Sequence, residues 1–239
     1  MNTIKFNKAT TQVIAHRGLS GIETENTNAA FVAAGNRSYY GIETDIYRTA
    51  DGRFVINHDN NYMRVAGEDI NVETSNLSEI QDNILFDKDG SQDRIDLRPS
   101  TLENYIGICK KYDKHAVLEL KSVFTKEEMA RIIDIIKSYD HLDNTTFISF
   151  HYENLQTVRN LLPNQSAQFL FCEFTNELIE KLIADKIDVD VFYKALNKET
   201  IDLLHSAGLK VNCWTVDNKE IAEQLVEWGV DYITSNILE

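Results

Sequence analysis

Proline is almost missing from this 239-residue chain, at two residues, and glycine is sparse, at ten. No segment is of low complexity, so the composition excludes a disordered chain beyond the first few residues. Cysteine is scarce too. Cys109, Cys172 and Cys213 lie far apart, and no pair has the spacing of a metal or redox motif. They read as reduced thiols of a cytoplasmic protein. Positive charge is short: 24 Lys and Arg stand against 38 Asp and Glu, for a net charge of −14. That balance argues against nucleic acid and against an anionic membrane surface as partners. An anionic substrate would be repelled at long range and held only by local positive charge, meaning a metal ion or a few placed cations. Long apolar runs are also lacking. None approaches the ~18 residues of a membrane span, and "MNTIKFNKATTQ" has no apolar core of a secretory signal. No stable membrane insertion and a cytoplasmic location are expected.

What is present is enough for a sizeable core. With 43% hydrophobic and 26% charged residues, the chain reads as one globular domain over residues 1–239. Short apolar strands alternate with amphipathic helices. Strands are expected at 12–17, 40–47, 116–121, 145–150, 166–171, 189–193, 210–216 and 231–236. Helices are expected at about 27–38, 101–112, 126–139, 152–161, 175–185, 197–207 and 218–228. Ser100, Thr125 and Asp217 each precede a Glu by three places, the sign of a capping box. Gly208 and Gly229 follow helix ends, where a left-handed residue is wanted. Eight strands alternating with helices fit a (β/α)8 barrel or an open doubly wound sheet. The barrel is favoured by the count and by polar residues at the C-terminal ends of several strands. An open sheet would usually carry a Gly-rich phosphate loop at its switch point, and none is present. After the second strand, "RTADGRFVINHD" reads as a hairpin with Asp51-Gly52 at its turn. Residues 60–100, polar and irregular, read as an insertion over the C-terminal face.

In a strand, i and i+2 share a face. In "GIETDIY" this pairs Glu43 with Asp45, and in "AVLELK" it groups Val117, Glu119 and Lys121. Three carboxylates then point into the barrel near its open end. Such a group repels itself and resists burial unless a positive charge sits among it. Lys121 could serve one carboxylate but not three. Hard oxygen ligands suit one divalent ion, Mg²⁺ or Ca²⁺. His16 ends the first strand and His58 ends the hairpin, both at the carboxylate end, so the imidazoles can act as a base and acid pair. Trp214, on the face of Asn212, is either core or an apolar wall beside a small substrate. Ser149 is a weaker candidate. Asn26 or Thr27 caps the first helix, Glu25 orders the helix start and its loop, and Glu23 has no assigned role.

Taken in order, "AHRG" at 15–18, "ENT-x-AAF" at 25–31, "GIETD" at 41–45, "HD" at 58–59, "LELK" at 118–121 and "WTVD" at 214–217 resemble the glycerophosphodiester phosphodiesterases. The likeness is to the compact single-domain bacterial type. It implies a TIM barrel with an insertion after the second strand. It also implies hydrolysis of glycerophosphodiesters, small molecules, to sn-glycerol 3-phosphate and an alcohol. By the same resemblance His16 and His58 match the catalytic pair, and Glu43, Asp45 and Glu119 match the metal ligands. Arg17 and Lys121 match the phosphate-holding cations, and Trp214 an aromatic near the glycerol site. Two places depart from the pattern. Thr24 stands where proline is common, which is expected to loosen the loop, and the usual "ITD-x-P" ending is Thr234, Ser235 and Asn236. Three other readings stay open: a lysophospholipase D-like enzyme on lipid diesters, a catalytically inactive barrel that binds a phosphate ligand, and, more remotely, a metal-dependent sugar-phosphate isomerase. A homo-oligomer is also left open.

Overall fold

The computed structural model describes residues 2–239. Its elements begin β1 (Gln12–Ala15), α1 (Asn28–Gly35), β2 (Gly41–Arg48), β3 (Phe54–Ile56), α2 (Met63–Ala66), α3 (Leu77–Gln81), α4 (Leu102–Tyr112) and β4 (His115–Leu120). They continue α5 (Lys126–Ser138), β5 (Thr145–Ser149), α6 (Tyr152–Leu161), β6 (Ala167–Phe171), α7 (Asn176–Asp185), β7 (Asp188–Phe192), α8 (Lys198–Ser206), β8 (Val211–Trp214), α9 (Lys219–Trp228) and β9 (Tyr232–Ser235). The sheet runs β1-β9-β8-β7-β6-β5-β4-β2, and β1 pairs back to β2. All eight of these pairings are parallel, so the sheet closes into a (β/α)8 barrel, as the strand and helix rhythm predicts. β3 lies antiparallel on the outer edge of β2 and completes the hairpin.

The alternation of β-strand side chains divides the core. Outward residues such as Ile42, Ile46, Leu118 and Phe147 pack beneath Phe31, Tyr105, Ile132 and Ile136 of the helices. A matching cluster covers the other half, around Val189, Val191, Val211 and Ile233. Inside the barrel a small apolar plug of Ile14, Val117, Ile148 and Leu170 fills the lower layers. Above that plug, toward the C-terminal ends of the strands, the interior turns polar.

Helix starts follow capping chemistry with two corrections. Thr125 and Glu128 form the expected reciprocal box on α5. On α4, however, the cap is Thr101, which accepts from the Asn104 N–H, and Ser100 instead donates to Asn28 Oδ1 at 2.6 Å. On α9 the cap is Asn218, which leaves Asp217 free for other partners. In both cases two adjacent residues were able to cap, and the one closer to the helix does so. Thr27 caps α1.

Residues 60–100 are more than a polar excursion. Tyr62, Val65, Val72, Ile80, Leu85 and Leu97 form a separate buried cluster with Tyr47 and Val55 of the hairpin. These apolar residues come singly, without period, so only α2, α3 and a single 3₁₀ turn at Val72–Thr74 form between them. Thr24 is buried, and its hydroxyl donates to the Phe86 carbonyl at 2.8 Å. It therefore ties the β1–α1 loop to the insertion, where a looser loop was expected.

Gly18 fixes how that loop leaves the barrel. Its φ is +76°, and a Cβ there would meet the Ala30 carbonyl carbon and Cβ at 2.7 Å. The glycine N–H can thereby reach the Glu43 carbonyl at 3.2 Å. Gly18→Ala combines a left-handed penalty of about 1–2 kcal/mol with overpacking of about 1–3 kcal/mol. A loss of about 2–5 kcal/mol in urea unfolding at neutral pH is expected, and a loss within ~0.5 kcal/mol would contradict the close packing.

Candidate active site

The carboxylates are set by strand register. Asp45 of β2 lies opposite Glu119 of β4, and Glu43 lies opposite Val117, two residues back on the same face. Glu43, Asp45 and Glu119 are all buried, and each offers an oxygen within 4.8 Å of the others. Their partners are specific. The Arg17 backbone N–H donates to Glu43 Oε2 at 2.8 Å. Asn26 Nδ2 donates to Asp45 Oδ2 at 2.8 Å, and the Thr44 hydroxyl donates to Asn26 Oδ1 at 2.8 Å. Lys121 Nζ lies 2.9 Å from Glu119 Oε1 and 3.5 Å from Asp45 Oδ1, and Arg17 Nε lies 3.6 Å from Asp45 Oδ2. Arg17 and Asn26 both hold left-handed backbone, with φ of +54° and +58°. That conformation is uncommon outside glycine and concentrates at functional loops.

These contacts leave the carboxylates under-compensated. Asp45 Oδ1 accepts no hydrogen bond. Burial, with Asp45 and Glu119 nearby, pushes the Glu43 carboxyl well above its ordinary range. Burial and the Asp45 charge push Glu119 up to about 8. Asp45 shifts the other way: against its burial, Lys121 and Arg17 hold it below the usual carboxylate value. Three hard oxygen donors, one of them an orphaned buried atom, fit a divalent cation of the Mg²⁺ or Ca²⁺ kind.

The histidines reach the same cavity from two loops. His16, just past β1, places Nδ1 2.8 Å from Asn236 Oδ1 and Nε2 4.0 Å from Glu43 Oε2. Burial and the Arg17 charge lower its pKa to about 4. His58, past β3, places Nδ1 2.8 Å from Asp59 Oδ1. Burial lowers its pKa too, against the pull of Asp45 and Asp59. Asp59 Oδ2 in turn accepts from Arg64 Nε at 2.6 Å, Arg64 forks onto Glu25, and Glu25 accepts from Arg17 Nη1 at 2.9 Å. A charged chain therefore joins the loop of His58 to the loop of His16. Glu25 orders the loop through that chain rather than the helix start. Glu23 pairs with Arg94 of the insertion.

The cavity, of about 210 Å³, has a charged side and an apolar side. His16, Arg17, Glu43, His58 and Glu119 line the first, and Ile148, Phe150, Leu170 and Trp214 line the second. Trp214 is half-buried, with Phe150 edge-on at 5.8 Å and Phe192 at 5.7 Å, so it stands as a wall of the cavity. Lys121 is not among the residues that line the cavity; its ammonium is held by Glu119 and Asp45 at the cavity's charged side. Ser149 is fully buried and donates to the Leu120 carbonyl, which makes it a strand-end anchor rather than a cavity residue.

Sequence reasoning passed over four residues. Asp190 lines the cavity and is buried, with Oδ1 unpartnered; burial and Glu119 push its carboxyl well up. The alternation that picked out Glu43 and Asp45 also aims Asp188, Asp190 and Phe192 of β7 inward. Asp59 stood next to His58 in plain view. Asn236 and Arg64 carry no local signal, because only the fold brings them to their partners.

The raised carboxyls have a pH consequence in the metal-free protein. Unfolded, Glu43 and Glu119 titrate near 4.5, whereas folded they hold their protons to higher pH, Glu119 to about 8. Through these two carboxyls the folded state binds more protons across that window, so their contribution to stability falls as pH rises through it, while the lowered His16 and His58 act in the opposite sense up to their ordinary value of 6.5. Asp45, shifted down, adds the opposite dependence only below its ordinary value of 3.8. A cation on the carboxylates takes the place of the protons, so its stabilising effect grows over the same window. Calorimetry in EDTA should show Tm falling from pH 7 to 8, above the range where the lowered histidines oppose the carboxyls, with the increment from Mg²⁺ or Ca²⁺ rising. Glu119→Gln should flatten both trends. A metal increment independent of pH in the wild type would contradict the buried proton.

The sequence profile of the glycerophosphoryl diester phosphodiesterase family matches residues 16–238. A glycerophosphodiester phosphodiesterase of Caldanaerobacter subterraneus subsp. tengcongensis is 30% identical over 232 residues, 95% of this chain and 94% of that protein. One from Bacillus subtilis is 27% identical, over 93% of this chain and 82% of that one. A phosphodiesterase of Oleispira antarctica, solved with its product sn-glycerol 3-phosphate, has a TM-score of 0.88 at 25% identity, covering 98% of this chain and 96% of that chain. No helix among the described residues is long and apolar enough to cross a membrane. With the profile matched from His16 almost to the last residue, the chain belongs to the glycerophosphoryl diester phosphodiesterase family.

Proposed function

We propose that this protein hydrolyses small glycerophosphodiesters to sn-glycerol 3-phosphate and an alcohol, with the help of one divalent cation. The observation that carries the reading is the meeting of two histidines and three buried carboxylates around one cavity at the C-terminal end of the barrel. An inactive phosphate-binding barrel would need the cations but not two proton-transfer groups. Glu43, Asp45 and Glu119 would hold the cation, which supplies Lewis-acid polarisation of the phosphate when bound. Arg17 and Lys121 would add positive charge where negative charge develops on the phosphoryl oxygens. Trp214 and Phe150 offer an apolar face to the carbon skeleton of the bound diester.

The two imidazoles differ in what they face. A proton on His16 would sit beside Arg17 and an amide, so burial keeps that ring neutral. A proton on His58 is supported by the Asp59 carboxylate at 2.8 Å and by Asp45. His16 is accordingly the base that takes the proton of the attacking hydroxyl. His58 is the acid that protonates the departing alkoxide.

Release of glycerol 3-phosphate from glycerophosphocholine should stop in EDTA and return with Mg²⁺ or Ca²⁺. His16→Ala and His58→Ala should each lower kcat by about 10²–10⁴-fold while leaving metal affinity nearly intact. Near wild-type turnover in either variant, or full activity in EDTA, would overturn the mechanism. Faster turnover of lysophosphatidylcholine than of glycerophosphocholine would move the substrate class to lipid diesters.

A further inference from the structure

We propose that Asp217 acts through Asn236 as a two-residue relay that fixes the tautomer of His16, so that its Nε2 presents a lone pair to the cavity. The inference rests on the reading of His16 as the base, and it adds two positioning residues that touch no substrate.

The argument follows the direction of each hydrogen bond. Asp217 lies in the loop after β8, and Asn236 lies just past β9. Asp217 Oδ1 accepts the Asn236 backbone N–H at 2.8 Å and the Ser235 hydroxyl at 2.9 Å. The Ser235 oxygen itself accepts the backbone N–H groups of Ile237 and Leu238 at 3.2 and 3.0 Å, so its own proton is free to go to Asp217. Asp217 Oδ2 faces the side chain of Asn236 at 2.6 Å. A carboxylate accepts and does not donate, so the amide must present Nδ2 to Asp217. Its Oδ1 is then turned to His16 Nδ1, 2.8 Å away. An amide oxygen accepts only, so the ring proton must lie on Nδ1. In a neutral imidazole that leaves Nε2 unprotonated, on the side of Glu43 and the cavity. The Ser20 hydroxyl lies 2.7 Å from both the same Asn236 Oδ1 and the His16 carbonyl, and its single proton cannot serve both fully, so the orientation is set by Asp217 and not by Ser20. A carboxylate outside the cavity thus sets the polarity of a ring inside it without placing a second negative charge beside the three metal-site carboxylates.

Polarity can be reversed and restored without changing size. In Asp217→Asn, the new amide must keep its oxygen on the Ser235 and Asn236 donors, so its NH₂ faces Asn236. Asn236 then turns over and offers Nδ2 to His16, and the ring proton moves to Nε2. In the exchange variant Asp217→Asn/Asn236→Asp, the carboxylate faces His16 directly, the amide still donates across the 217–236 contact, and the Nδ1 proton returns. Two readouts apply to both variants and the wild type. One is steady-state hydrolysis of glycerophosphocholine. The other is the ¹⁵N shift pattern of His16 in metal-free protein, which reports the tautomer with no turnover needed.

Asp217→Asn is expected to lower kcat by about 10²-fold or more, the range for a lost general base, with KM within a few-fold of wild type. Its His16 should carry the proton on Nε2. The exchange variant is expected to recover at least a tenth of wild-type kcat and the Nδ1–H pattern. Unchanged His16 shifts in Asp217→Asn would overturn the relay. So would a folded exchange variant no better than the single one, since a merely structural contact has no reason to be rescued by exchange. Loss of the tautomer with undiminished turnover would keep the relay and remove His16 as base. A wild type with no diester turnover would do the same to the functional reading, and the shift pattern alone would then decide the relay.

Discussion

Three carboxylates held inside a closed barrel are the constraint around which the site is arranged. The parallel register of β2 and β4 puts Asp45 against Glu119, and the pleat adds Glu43 on the same face. No choice of rotamer could separate them far, because the strands are fixed by a barrel that closes through β1 and β2. The surroundings answer that crowding group by group. Glu43 receives a backbone N–H, Asp45 receives an amide that is itself fixed by Thr44, and Glu119 receives Lys121. The loop that supplies the first two carries left-handed residues at Arg17, Gly18 and Asn26, so the "HRG" and "ENT" stretches are as much about backbone shape as about side-chain chemistry.

The barrel and much of the site were legible in the sequence because they follow from short-range periodicity. A period of two located the inward faces of β2 and β4, and with them Glu43, Asp45, Glu119 and Lys121. The eight parallel strands follow the predicted order, though β1 ends at Ala15 and β8 at Trp214, short of the expected 17 and 216. The chain beyond those points is given over to His16, Arg17 and Thr215, which turn into the cavity instead of continuing the ladder. Residues 60–100 were opaque for the opposite reason. Their cluster is built from single apolar residues far apart in sequence, which leave no periodic trace. The choice between Ser100 and Thr101, or between Asp217 and Asn218, depends on where a helix begins to within one residue, and propensity does not resolve that.

The partners of the two histidines show a related limit. Asp59 is a neighbour in sequence, and Asn236 is 220 residues from His16. Both bonds are 2.8 Å long, yet one presents a carboxylate and the other an amide. That difference in charge adds to the deeper burial of His16 in setting the two rings apart. It arises where the C-terminal "TSN" departs from the family's usual ending, so a departure that looks like erosion of a motif coincides with a complete set of directed hydrogen bonds.

Charge balance ties the site to the acidity of the whole chain. The protein carries a net charge of −14. Around the cavity, Arg17 and Lys121 stand against Glu43, Asp45, Glu119 and Asp190, and both cations already lean on carboxylates. With every carboxylate ionised the cavity would repel a phosphodiester. Two neutralisers can change its sign: protons, which the raised pKa of Glu43, Glu119 and Asp190 invites, and a divalent cation, for which three of the four oxygens converge. The two compete for the same groups. Protonation removes charge without adding any, so it makes the cavity tolerable but not attractive to an anion. A divalent ion on the carboxylates would lessen the hold of Lys121 on Glu119 and of Arg17 on Asp45, and would leave both cations freer for an anionic ligand. On the proposed reading, an acidic protein with this interior would suit an anionic substrate in a metal-loaded form.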